Sequence, residues 1–140
     1  MVESFRALLL EKHKGLIKAS VKSLKTDQLP NGDTTVNVSY SALNYKDGMI
    51  LEGIGKMVRH YPHIPGIDFV GEVETTVSGK FNFGDKVILT GWRVGETRWG
   101  GFSEKACVEA DWLVPLPENM TLQNAMVVGT AGLTAMLSIM

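Results

Sequence analysis

The sequence predicts a mainly β fold, a curved barrel with short helices, and three observations carry that expectation. Fifteen glycines are scattered rather than clustered along the 140 residues. They punctuate segments of about eight residues, the spacing of short strands and not of helices. Several of these segments alternate apolar and polar residues with the period of two that a half-buried strand requires. Helical composition, by contrast, collects after residue 120.

Taken in order, "RALLLE" and "GLIKASV" read as an opening hairpin. In "LPNGD" the pair Asn31-Gly32 is a strong turn signal. "TTVNVSYSAL" is the clearest strand, with Val36, Val38, Tyr40 and Ala42 on one face and Thr35, Asn37, Ser39 and Ser41 on the other. "FVGEVETTV" sets Val73, Thr75 and Val77 against Glu72, Glu74 and Thr76, and "GDKVILTGW" and "GFSEKACVEA" supply two more strands. Glycines within such runs kink and curve a sheet. Thr121 then reads as the N-cap of "LQNAMVV", Gly129 interrupts, and "TAGLTAMLSIM" resumes in helical composition.

Bulk composition narrows the function classes. The chain is 44% hydrophobic and 21% charged with a formal net charge of -1, so no overall field favours a polyanion, and neither nucleic acid nor an anionic membrane is an expected partner. The N-terminal apolar run extends only from Ala7 to Leu10, too short for a signal segment or a membrane span. Cys107 is the single cysteine, which excludes an intrachain disulfide and fits a reducing, cytoplasmic setting. The apolar end formed by Leu133, Met136, Leu137, Ile139 and Met140 suggests a surface that is normally covered. We expect residues 1–120 to form one domain and 121–140 to begin an interdomain helix leading to a nucleotide-binding domain that this chain lacks; a dimerisation helix is the alternative.

The stretch "NYKDGMILEG" places an amide, a phenol, an ammonium and a carboxylate in consecutive positions, Asn44 to Asp47. These residues either form the polar floor of a reaction site or cap a helix, with Asn44 as N-cap and Asp47 at N3 favouring the helix dipole. The two roles are compatible. Lys46 is expected to be solvated or paired with a carboxylate, and Asp68 to hydrogen-bond structurally, orienting Tyr45 or Lys46, or to act directly. Asp85 reads as a turn residue. "GWRVGETRWGG" is a long polar-aromatic loop of the kind in which function concentrates, so Trp92, Arg93 and Trp99 are candidates to line a cleft. No G-x-G-x-x-G follows a strand, and "GIGK" lacks the length of a phosphate loop. His60 and His63 form an H-x-x-H pair with no third ligand nearby in sequence, and Cys107 reads as a small buried hydrophobe in a strand.

Four signatures fall in order: "NYKD" at 44–47, "PGIDFVG" at 65–71, "FGDKV" at 83–87 with "GGFSE" at 100–104, and "GTAGLTA" at 129–135. Together they resemble the N-terminal, GroES-like catalytic domain of the medium-chain dehydrogenase/reductase superfamily. "LNYKD", "IPGIDFVG", "TGWRVGETRWGGFSE" and "DWLVPLP" are most similar to its zinc-independent quinone oxidoreductase subgroup, which includes acrylyl-CoA reductases. The resemblance implies a GroES-like barrel joined to a Rossmann domain, and hydride transfer from NADPH to the β-carbon of an α,β-unsaturated carbonyl, followed by protonation of the α-carbon. It implies no zinc, since Asn44–Asp47 and Gly66–Asp68 stand where zinc-dependent relatives carry ligands.

The resemblance also implies roles for individual residues. Tyr45 and Asn44 are carried over as neutral donors near the developing enolate, with Asp47 beside them as the third candidate catalytic residue; Tyr45 and Thr130 are carried over as contacts to the nicotinamide cofactor. Arg59, Trp92 and Arg93 are expected to bind substrate, with Arg59, Arg93 and Arg98 able to meet the phosphates of a coenzyme A thioester. The expected partner is a small enoyl thioester or a quinone, and the intact protein is expected to be a homodimer. A non-enzymatic GroES-like binding or assembly module is the competing reading. Against it stands the polar "NYKD" and "GTAG" pair, which an assembly module has no reason to keep.

Overall fold

The structure, a computed structural model, describes residues 2–140. Its mainly β architecture agrees with the expectation. Strands β1 (Ser4–His13) and β2 (Leu16–Lys25) form an antiparallel hairpin. Lys14 and Gly15, at φ 49° and 85°, close it in the two-residue geometry whose twist matches that of the flanking strands. The remaining strands are β3 (Thr34–Tyr40), β4 (Asp68–Thr76), β5 (Lys86–Thr90), β6 (Lys105–Val108) and β7 (Val114–Pro115). They make one antiparallel sheet in the order β6-β3-β4-β5-β7. Backbone bonds from Leu8 N–H to Phe102 O (2.9 Å) and between Leu10 and His63 in both directions (2.7 and 2.9 Å) tie the hairpin to the larger sheet. The result is the curved, partly closed barrel foreseen from the glycine spacing.

Its core is built from the alternating faces. Val36, Phe69, Val73, Val87, Leu89 and Val94 pack together inside the large sheet, and Phe5, Ala7, Leu9, Leu24 and Ile64 fill the space under the hairpin. Non-directional burial of this kind holds the layers but does not by itself aim any side chain.

Helix α1 (Tyr45–Leu51) follows β3 directly, and Leu10, Ile50 and Ile67 bury its inner face. Helix α2 (Leu122–Ile139) begins at Thr121, whose hydroxyl accepts from Asn124 N–H at 3.1 Å. Its Ala125 and Met126 pack on Val70 of β4. Gly129, at φ 49° and ψ -160°, breaks α2 into two parts. By composition α2 is apolar enough to cross a membrane, with mean hydropathy 1.3, but the break at Gly129 leaves neither part near the ~20 residues a span needs.

Three local expectations shift. β3 ends at Tyr40 rather than running to Ala42, after register shifts at Thr35/Val36 and Val38/Tyr40. Asn31-Gly32 does not close a hairpin; Gly32 instead lies against the Val108 backbone, where an added Cβ would come within 2.8 Å. Val77 falls beyond the end of β4 and is exposed. Asp85 is the turn residue expected, accepting from Asn82 N–H at 2.7 Å.

Candidate active site

The site grows from the end of β3. Asn44 keeps an extended backbone, φ -112° and ψ 157°, and serves as N-cap of α1. Asp47, at N3, reaches back: its Oδ2 accepts from Asn44 N–H at 2.9 Å, while its Oδ1 accepts from Gly66 and Ile67 N–H at 3.1 Å each. Its side chain has no exposed surface. Burial pushes the Asp47 carboxyl above the usual carboxylate range, and the N–H bonds from Asn44, Ile67 and Gly66 pull the other way. All of these partners are backbone groups, so Asp47 locks the start of α1 to the "PGID" segment.

Asp68 is the second buried carboxylate, and it too is fully enclosed. Its Oδ1 accepts from Ala42 N–H at 3.0 Å; its Oδ2 accepts from the Asn44 side-chain amide at 3.1 Å and from Thr130 N–H at 3.0 Å. Ser41 Oγ donates to the Asp68 carbonyl at 2.6 Å. A carboxylate sealed from water needs such partners to offset its desolvation. The hydrogen-bonding role considered for Asp68 is therefore present, with Asn44 and Thr130 as partners in place of Tyr45 or Lys46.

Around this hub two groups remain available. Tyr45, the residue after Asn44, is 88% exposed, and Thr130 Oγ1 is buried with no hydrogen-bond partner among the described residues. An orphaned buried hydroxyl is uncommon and calls for a partner. A phenol and an unpaired hydroxyl beside one hydrogen-bonded hub suit the polar edge of a nicotinamide, whose carboxamide both donates and accepts.

Beyond Tyr45, Lys46 Nζ pairs with Glu96 Oε1 at 3.0 Å, and Glu96 Oε2 lies 3.8 Å from Arg93 Nε. Glu96 was not singled out from sequence, and only its position in the polar-aromatic loop hinted at it. Arg93 and Trp99 line one cavity of about 520 Å³ together with Arg59, His60 and Arg98. Trp92 is not part of that lining: its ring stacks on Trp112 at 5.8 Å between centroids, and the Arg98 guanidinium sits 4.7 Å from the Trp112 ring centre. Among the described residues, no three His, Cys, Asp or Glu side chains gather as metal ligands. His63 is buried with Nε2 2.7 Å from Gly95 O, whereas His60 is exposed at the cavity. Cys107 is half-buried in β6, where burial pushes its thiol up.

Comparisons with known proteins identify the family and the fold. The alcohol dehydrogenase GroES-like domain family matches residues 30–118. Acrylyl-CoA reductase AcuI of Ruegeria pomeroyi is 55% identical over 138 residues, covering 97% of this chain and 42% of that protein. The crystal structure of the Salmonella enterica yhdH oxidoreductase in complex with NADP has a TM-score of 0.93 at 52% identity, over 96% of this chain and 41% of that one. That of Bacillus subtilis yhfP with NAD bound has a TM-score of 0.94 at 46% identity, over 98% and 42% of the two chains. The chain thus spans about two fifths of the length of the relatives it matches. It belongs to the alcohol dehydrogenase GroES-like domain family, as an N-terminal domain of the medium-chain dehydrogenase/reductase kind.

Proposed function

We propose that this chain is the substrate-side domain of a cytoplasmic, NADPH-dependent reductase of carbon–carbon double bonds conjugated to a carbonyl, with acrylyl-CoA as substrate and propionyl-CoA as product. The observation that carries it is the junction at Asp68, where one carboxylate oxygen holds Asn44 and Thr130 together and leaves the Tyr45 phenol free. The 55% identity to an acrylyl-CoA reductase supports the thioester assignment, and the yhdH structure with NADP supports the cofactor. Residues 1–120 act as the catalytic domain. Residues 121–140 begin the helix that leads to the nucleotide-binding domain, a reading supported by the relatives' greater length and by the exposed Val127, Leu133, Leu137 and Ile139 along α2.

A reduced nicotinamide, when bound, supplies the hydride. The residues of this chain supply position and charge stabilisation. The Tyr45 hydroxyl donates to the substrate carbonyl oxygen and can deliver a proton. Thr130 Oγ1 meets the carboxamide edge of the cofactor. Asn44, Asp47 and Asp68 hold these two in register, Asp47 as a positioning residue that contacts backbone alone. The scheme uses no zinc, a reading supported by the engagement of the Asp47 and Asp68 carboxylates with backbone and amide N–H groups.

Steady-state kinetics of the intact protein test the proposal, with NADPH and NADH against acrylyl-CoA, crotonyl-CoA and a benzoquinone. NADPH with acrylyl-CoA should give the highest kcat/KM. Equal rates with all three acceptors would sink the thioester assignment in favour of a quinone or general enone reductase. Light scattering on the same sample tests the expected homodimer.

A further inference from the structure

The loop between β5 and β6 has an unusual backbone. Gly91, Trp92 and Arg93 adopt positive φ in succession, 83°, 56° and 59°, a conformation that large side chains rarely hold unless the surroundings enforce it. Enforcement is visible: Val94 N–H donates to Gly91 O at 3.1 Å, Glu96 N–H to Arg93 O at 3.1 Å and Gly95 N–H to Arg98 O at 2.8 Å. His63 Nε2, 2.7 Å from Gly95 O, fastens the loop to the buried segment before β4.

The consequence is a convergence of positive charge. Arg93 and Arg98 from this loop, with Arg59 and His60 from the segment after α1, line the cavity of about 520 Å³, and no acidic side chain lines it. Arg59 and Arg98 pair with no carboxylate among the described residues. Arg93 has only Glu96 at 3.8 Å, and that carboxylate is already engaged by Lys46 at 3.0 Å. The Trp99 indole, which donates to Pro62 O at 3.2 Å, gives the cavity a fixed aromatic wall, and the Trp112 ring, 4.7 Å from the Arg98 guanidinium, supports Arg98 from outside the lining. Three largely uncompensated guanidinium groups in a chain of net charge -1 form a receptor for phosphate, which they can bind through parallel N–H donors.

We propose that this cavity binds the phosphate-bearing nucleotide end of the thioester substrate, an inference that rests on the reductase reading above. Its position selects substrate over cofactor. The chain Lys46–Glu96–Arg93 links the residue next to Tyr45 to the cavity wall, so the cavity adjoins the proposed reaction site. None of the lining residues belongs to the cluster that seats α2, the helix leading to the nucleotide side.

Two measurements test it with the variant Arg59→Gln/Arg98→Gln, whose changes are at exposed positions. Isothermal titration of the chain with adenosine 3′,5′-bisphosphate should show salt-sensitive binding that weakens about tenfold or more in the variant, as expected for the loss of charge-assisted contacts. Absence of binding, equal binding by the variant, or an equally large effect on NADPH would overturn the proposal. In the intact protein, the ratio of kcat/KM for acrylyl-CoA to that for methyl vinyl ketone, an enone without phosphates, should fall about tenfold. If acrylyl-CoA is reduced but that ratio does not move, the cavity assignment fails and the reductase reading stands. If no acyl-CoA is reduced at all, the reductase reading fails with it.

Discussion

Asp68 Oδ2 accepts from the Asn44 side-chain amide at 3.1 Å and from Thr130 N–H at 3.0 Å, so one buried oxygen joins the turn after β3 to the middle of α2. Asp68→Asn tests how much the site depends on that oxygen. Asparagine has one acceptor oxygen for two sites: kept on Ala42 N–H, it turns its NH₂ toward Asn44 and Thr130, and flipped, it turns it toward Ala42. At least one buried N–H loses its partner either way, which costs about 1–3 kcal/mol. Urea unfolding should show a lower midpoint at unchanged slope. A midpoint equal to that of the parent chain would mean that the junction is not held through Asp68.

Tyr45→Phe separates chemistry from stability. The side chain is 88% exposed and no hydrogen bond among the described residues uses its hydroxyl, so the unfolding free energy should change by less than about 0.5 kcal/mol. In the intact protein the same change should lower kcat/KM for the enoyl substrate by about a hundredfold, the usual effect of removing one donor to a developing oxyanion. Undiminished turnover would show that water supplies both the proton and the hydrogen bond.

The features legible in the sequence are those set by near neighbours. The period-two pattern of β3 as far as Val38, the N-cap at Asn44 with Asp47 at N3, the cap at Thr121 and the interruption at Gly129 all follow from residues a few positions apart, and each is present in the structure, whereas Tyr40, expected on the inner face of β3, is exposed beyond the register shift at Val38. Asp68 was visible only as a buried carboxylate in want of partners, because Asn44 and Thr130 lie 24 and 62 positions away and the pairing of β3 with β4 and the packing of α2 on β4, not local pattern, bring them together. The arginines of the cavity were grouped from the sequence only by what the resemblance implies, and their convergence was not legible from spacing for a related reason. Arg59 and Arg93 come from separate loops, and nothing in "GWRVG" announces that Trp92 and Arg93 take positive φ, since large side chains rarely do. Asn31-Gly32 marks a bend before β3 and not a hairpin turn, and what the local signal could not announce is the close approach of Gly32 to β6.

His63 should make the fold sensitive to mild acid. Its ring is buried, which pushes its pKa below the ordinary histidine value, while the Gly95 carbonyl opposes the shift. A lowered folded-state value means that the unfolded chain binds the proton more readily. The His63 contribution is therefore complete above about pH 6.5 and is lost as pH falls through the lowered value, by at most about 1.4 kcal/mol per pH unit. Asp47, whose value is raised, contributes with the opposite sign as pH falls toward the carboxylate range. Urea midpoints measured from pH 7 to pH 5 should decline in the parent chain and decline less in His63→Gln. Parallel declines in the two would remove His63 as the cause.

Gly129→Ala is a test in which the sign itself is informative. In an ordinary helix interior, alanine is better than glycine by about 1 kcal/mol. Here Gly129 holds φ 49° and ψ -160°, a region almost closed to residues with a Cβ. The added carbon would lie 3.1 Å from Asp68 Oδ2 and 3.3 Å from the Ala42 Cβ. Relief requires the backbone to turn toward regular helix, which swings Thr130 N–H away from Asp68. The expected result is destabilisation by about 1–3 kcal/mol in place of a gain. The double variant Gly129→Ala/Asp68→Asn should lose less than the sum of the single losses, because both act on the same hydrogen bond. Stabilisation by the alanine, or strict additivity with Asp68→Asn, would show that the break in α2 is not maintained by the Asp68 junction.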